Sequence, residues 1–155
     1  MRKHRADNID SVPPYNSKRK TGDIEEYADR QGEPKVVLNA DVEKYFIEGV
    51  SNLLQAREFY TEILVWLAIY GPRAIRAKRL EVHLFDFNAS SALYLSKVFE
   101  LWVSLDDNNR IAWHFHPDDE WGKESAEIFN DLFDERFDLI PDKQMPKRPR
   151  QSSLS

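Results

Sequence analysis

The stretch that decides the fold is Arg79-Leu80-Glu81-Val82-His83-Leu84-Phe85-Asp86-Phe87, then Asn88-Ala89-Ser90-Ser91, then Ala92-Leu93-Tyr94-Leu95-Ser96-Lys97-Val98-Phe99-Glu100-Leu101-Trp102. The first piece is rich in β-branched and aromatic residues and has the length of a strand. The last sets Leu95, Val98, Trp102 and Leu105 at three- and four-residue spacings, with Tyr94 and Leu101 alongside, which predicts one apolar helix stripe. Between them lie small and polar residues, of which Asn88 or Ser90 can cap the helix by accepting a hydrogen bond from its orphan N–H groups. The positive end of the helix dipole points at this turn, where negative charge is favoured. A polar turn at the carboxyl end of a strand is where α/β proteins keep function.

Working outward, the segment Leu53–Tyr70 carries Ala56, Phe59, Tyr60, Ile63, Trp66, Leu67 and Tyr70 at helical spacing. An aromatic stripe with that period reads as core, because each ring buries a large apolar area. Ser51 or Asn52 is the expected N-cap, and Gly71-Pro72 the expected stop. Upstream, Lys35–Asn39 and Lys44–Glu48 read as a hairpin turning at Ala40-Asp41. Downstream, Asp106–Asn109 is a turn cluster and Arg110–His116 a strand closed by Pro117. Asp118-Asp119-Glu120 opens a third helix with acids in the dipole-favoured first turn. Its expected stripe is Ala126, Phe129, Leu132 and Phe133, and Arg136–Ile140 is a short last strand. The order β-β-α-β-α-β-α-β with right-handed crossovers predicts one small α/β domain, a mostly parallel sheet with an N-terminal hairpin and covering helices.

Composition bounds the function classes. With 155 residues and no cysteine, one domain with a real core is expected, and disulfides, thiol nucleophiles and Cys-ligated zinc are excluded. Residues 1–34 are neutral and read as a polar, disordered tail, residues 35–140 as the folded domain, and residues 141–155 as a basic polar tail. The domain holds 11 Lys and Arg against 19 Asp and Glu, a poor surface for nucleic acid. The basic clusters Arg2-Lys3-His4-Arg5, Lys18-Arg19-Lys20 and Lys147-Arg148-Pro149-Arg150 all fall in the tails and read as solvated charge. Met1–Arg5 is followed by no apolar run and no segment approaches the roughly 20 apolar residues of a span, so a cytoplasmic protein without membrane insertion is expected.

No catalytic constellation emerges. Ser90-Ser91 lacks the Gly-x-Ser-x-Gly elbow, and five glycines make no phosphate loop. Glu81 and Asp86 have no sequence feature that brings them together as an acid/base pair. His114 and His116 would share one face of a strand, with Asp118-Asp119-Glu120 near by, which gives the alternative of a small-ligand or metal site. His83 is the other domain histidine, at an unfixed distance. The acids serve more simply as a helix start, so the expectation is no metal, no cofactor and no enzyme.

The run Gly49-Val50-Ser51, Phe59-Tyr60, Trp66-Leu67, Phe85-x-Phe87-Asn88-x-Ser90-Ser91, Trp113-x-Phe115 and Asp118-Asp119-Glu120 resembles the SiaC-type regulatory phosphoproteins. These are bacterial STAS-like domains distantly similar to anti-sigma-factor antagonists. The resemblance spans Lys35 to Asp142 and is most specific at the family's Asn-Thr-Ser-Ser turn. It implies a non-enzymatic switch in which a partner kinase phosphorylates the turn Thr and a PP2C-type phosphatase reverses it. The unmodified form binds and activates a diguanylate cyclase, promoting cyclic-di-GMP signalling and biofilm behaviour. By resemblance the partner-docking turn is Asn88, Ala89, Ser90 and Ser91.

The chain departs from the family at the acceptor itself. The Thr position is Ala89, which has no hydroxyl to phosphorylate, and Leu53-Leu54 stands where many relatives carry Pro-Glu. A phosphate would bring about −1.5 to −2 charges to a helix N-terminus. Without it the docking surface stays in the form that resembles the dephosphorylated one. Three readings of the alanine follow: a constitutive binder, transfer of the acceptor role to Ser90 or Ser91, or a phospho-null introduced by design.

Overall fold

Alternation of apolar and polar residues builds the strands, and one face of every strand from the second onward feeds a single core. The computed structural model describes residues 11–17 and 32–149. In chain order the elements are β1 (Tyr15–Asn16), β2 (Lys35–Asn39), β3 (Lys44–Ser51), α1 (Ala56–Ala74), β4 (Arg79–Phe87), α2 (Ala89–Ser104), β5 (Arg110–Phe115), α3 (Glu120–Leu132) and β6 (Phe137–Pro141). The six strands lie side by side in sequence order. β1, β2 and β3 pair antiparallel, and β3 to β6 are parallel. Because each parallel step moves the same way, right-handed crossovers put all three helices on one face. The core confirms that layering: Val36, Ile47, Val82 and Trp113 of the strands are buried with Ile63, Trp102 and Phe129 of the helices.

Two elements begin or end elsewhere than the sequence suggests. Gly71-Pro72 does not stop α1, which runs on to Ala74. Proline in a last turn forfeits one helical hydrogen bond, and Gly71 is selected by packing: a Cβ there would lie 2.6 Å from Leu105 Cδ1. Neither Ser51 nor Asn52 caps α1; the N-cap is Gln55, with no side-chain cap bond. Ser51 Oγ instead shares a buried 2.6 Å hydrogen bond with the Tyr60 hydroxyl, and Asn52 Nδ2 donates to Asp86. In α3, Ala126 and Phe129 are buried as expected, but Leu132 is 64% exposed and Gly122 and Ser125 take the inner face.

The expected tails also contribute to the domain. Tyr15 and Asn16 pair with Leu38 and Val37, satisfying the free edge of β2. Beyond β6, the Asp142 N–H donates to Phe115 O, and Met145 is buried with Val50 and Phe85 on the face of the sheet that carries no helix. The clusters at residues 2–5 and 18–20, and Arg150, lie outside the described residues. Arg148, expected to be solvated, is docked: its Nε lies 2.8 Å from Asp86 Oδ1 and its guanidinium 4.3 Å from the Trp121 ring. Among the described residues no helix is long and apolar enough to cross a membrane.

Candidate functional site

The turn between β4 and α2 is held from three sides by Asn88. Its Oδ1 accepts the Ser91 N–H at 2.9 Å, which makes it the N-cap in preference to Ser90. Its Nδ2 donates to Leu53 O at 3.0 Å, and its own N–H donates to Ser51 O. One asparagine therefore fixes the start of α2 to the ends of β3 and of the segment leading into α1. Just before the turn β3 and β4 slip by a residue: Gly49 pairs with Leu84 and Val50 with Asp86, leaving Phe85 as a bulge. Gly49 sits at φ 107°, a conformation a side chain disfavours, so glycine permits this irregularity. Phe85 faces the helix-free side in phase with Glu81 and His83; the extra residue then shifts the alternation, turning Phe87 toward Trp113 and Phe129 in the core and bringing Asp86 to Arg148 and Asn52.

The turn residues differ in access. Ala89 and Ser90 are exposed on the first turn of α2, whereas Ser91 is fully buried and its Oγ has no hydrogen-bond partner among the described residues. Of the two candidate substitute acceptors only Ser90 reaches the surface. Four residues on from Ala89, and so on the same helix face, Leu93 is 57% exposed; Leu54, next to the carbonyl that Asn88 holds, is 97% exposed. These two leucines escaped the sequence reading because Leu93 was absorbed into a helix pattern and Leu54 into a departure from the family.

His114 and His116 are not brought together as the alternative reading required. β5 ends at Phe115, and His116 Nδ1 accepts the Asp118 N–H in the following loop. His114 joins different partners on the helix-free face. Its ring stacks on His83 with centroids 3.9 Å apart, and its Nε2 lies 2.7 Å from Glu81 Oε1. Parallel pairing of β4 with β5, Glu81 opposite Ala112 and Val82 opposite Trp113, creates this neighbourhood. Burial pushes His83 down to about 4, with His114 adding to the effect. Burial alone would raise Glu81, but hydrogen bonds from His114 and Arg79 outweigh it and hold the carboxyl below its usual value. A cleft of about 680 Å³ opens elsewhere, between Tyr15 and the start of α1, lined by Glu33, Glu58, Phe59 and Glu62. It contains neither histidine.

A family model described as "SiaC family regulatory phosphoprotein" matches residues 27–142. The chain belongs to the SiaC family. No curated protein matches it. Among solved structures it is similar to apo-SiaC from Pseudomonas aeruginosa, with a TM-score of 0.67 at 15% identity over 83% of this chain and 98% of that one. A second SiaC structure from that organism gives 0.63 at 17% identity, covering 84% of this chain and 98% of that one. A third match is to the structure of the diguanylate cyclase SiaD in complex with its activator SiaC from the same bacterium, with TM-score 0.66, 18% identity, and coverage of 72% and 94%. The mixed α/β fold is therefore that of the SiaC structures. The family is one of regulatory phosphoproteins.

Proposed function

We propose that this SiaC-family chain is a non-enzymatic, cytoplasmic regulator that binds and activates a diguanylate cyclase, and that Ala89 keeps it in the unphosphorylated form. The observation that carries the reading is an exposed Ala89, on the first turn of a helix capped by Asn88, within a family-model match that spans the turn. The exposed Leu54 and Leu93 beside the turn supply apolar surface for a protein partner. A kinase and a PP2C-type phosphatase, which the family resemblance brings with it, have no hydroxyl to act on at residue 89. Ser90 is exposed but sits one residue further round the helix, about 100° away, so an enzyme aligned on position 89 would have to reach a differently directed hydroxyl.

The test is reaction of the full chain with a family kinase and ATP, read by phosphopeptide mass spectrometry, beside cyclase activation measured as cyclic-di-GMP formed. The expected result is no phosphate on the chain with Ala89, phosphate at residue 89 in Ala89→Thr, and activation that kinase abolishes only in that variant. Phosphate on Ser90 of the chain with Ala89, with loss of activation, would overturn the constitutive reading. Absence of any cyclase binding would overturn the partner.

A further inference from the structure

On the helix-free face of the sheet, Glu81, His83 and His114 each offer one ligand atom, all within 4.8 Å of one another. We propose that this trio is a binding site for a divalent transition-metal ion of the zinc type, bridging β4 and β5. The inference is independent of the docking turn, which lies on the other side of the bulge at the carboxyl end of β4.

The donor set fits such an ion. Two imidazoles and one carboxylate suit zinc and its neighbours, whereas calcium and magnesium prefer all-oxygen sites. The chain has no cysteine to offer a competing thiolate site. Tetrahedral bonds of about 2.0–2.1 Å require donor atoms about 3.3 Å apart. Glu81 Oε1 and His114 Nε2 are 2.7 Å apart across a shared proton, so an ion that replaces the proton spreads the pair by about half an ångström. His83 makes a ring stack and no side-chain hydrogen bond among the described residues, so its nitrogens are not committed elsewhere.

Two further groups hold the ligands as metal ligands are commonly held. Arg79 Nε lies 2.7 Å from Glu81 Oε2, which fixes the carboxylate and leaves Oε1 directed at the histidines. On the far side of His114, Nδ1 is buried without a hydrogen bond and lies 3.5 Å from Asp142 Oδ2. That is the carboxylate–histidine arrangement that makes an imidazole a better ligand, slightly open and ready to close when Nε2 binds an ion. The His114 side chain is only 13% exposed and Glu81 29%, so an ion is shielded on the sheet side and open to water on the other. Asp142 begins the segment that carries Met145 and Arg148, so occupancy would also tighten that extension.

The experiment is titration of Zn²⁺ into the chelator-treated full-length chain by calorimetry, with Co²⁺ absorption as the geometric readout. One Zn²⁺ per chain, a raised unfolding midpoint, and a Co²⁺ spectrum of four- or five-coordinate nitrogen and oxygen ligation are expected. His83→Phe keeps a stacked ring but supplies no nitrogen, and Glu81→Gln keeps the side-chain volume; each should weaken binding by at least the roughly tenfold that loss of a mere outer-shell partner costs. His116→Ala should bind as the natural chain does. Circular dichroism of the metal-free variants separates lost ligation from lost folding. No saturable binding by the natural chain, or unchanged binding by folded His83→Phe and Glu81→Gln together, would overturn the site.

Discussion

At the scale of single residues, Tyr60 shows how a polar atom is tolerated at the centre of the core. Its ring is fully buried, and its hydroxyl is spared desolvation without a partner only by Ser51 Oγ at 2.6 Å. Burial pushes the phenol far above its ordinary value, and the bond to Ser51 opposes that only in part. The folded state therefore binds the phenolic proton more tightly than the unfolded one. Its stabilising contribution is complete below about pH 10, the unfolded value, and is lost as pH rises toward the folded value. Tyr60→Phe should cost about 1–2 kcal/mol at neutral pH, by orphaning Ser51, yet flatten the loss of stability above pH 10. Urea titrations at pH 7 and pH 10.5 would measure both, and an unchanged alkaline slope would contradict the assignment. Ala89 is the complementary case at the surface. There, on the proposed reading, Ser90→Asp should weaken affinity for the proposed cyclase partner by placing charge on the proposed docking turn, and equal affinities in a binding titration would move the docking surface elsewhere.

At the scale of elements, helix ends are where the sequence was both most and least informative. A cap at Asn88 or Ser90 was legible because a polar residue between a strand pattern and an apolar helix stripe has few other uses, and the structure chose Asn88. Asn88→Ala removes the cap and the bond to Leu53 O together, and should cost about 1–2 kcal/mol, read from the denaturant midpoint at unchanged slope. Gly71-Pro72 misled for a physical reason. Glycine serves equally as a terminator and as a site of close approach, and only the position of Leu105 shows which. Gly71→Leu should destabilise by about 1–3 kcal/mol through overpacking, and Leu105→Ala in the same chain should recover part of that loss. Simple additivity of the two in a thermal-unfolding cycle would refute the contact.

At the scale of the whole molecule, the helices cover one face of the sheet and the segment after β6 partly covers the other. Met145 packs on Val50 and Phe85, while Arg148 joins Asp86 at the end of β4 to Trp121 on α3; its own N–H donates to Asp119 Oδ2. Arg148→Ala should cost about 1 kcal/mol, the sum expected of a partly exposed ion pair and a cation–π contact, and should raise hydrogen exchange in residues 142–149 selectively. Uniform protection across the segment in both proteins would show that Met145 alone holds it.

Local pattern by itself determined the element order from Lys35 onward, the one-sided helices and the polar turn at residues 88–91. Each of these depends on residues close in sequence, whose period or chemistry is visible without the fold. The resemblance carried by those same residues already pointed to the SiaC family. Tertiary structure alone decided that Ser91 is sealed inside while Ser90 is exposed, since helical rotation turns adjacent residues about 100° apart. It also decided which histidines meet. His114 and His116 are neighbours in sequence, yet the end of β5 parts them; His83 is 31 positions from His114, yet parallel pairing of β4 with β5 stacks their rings. Strand register is a long-range property, set by core packing on the opposite face, and no short-range pattern encodes it.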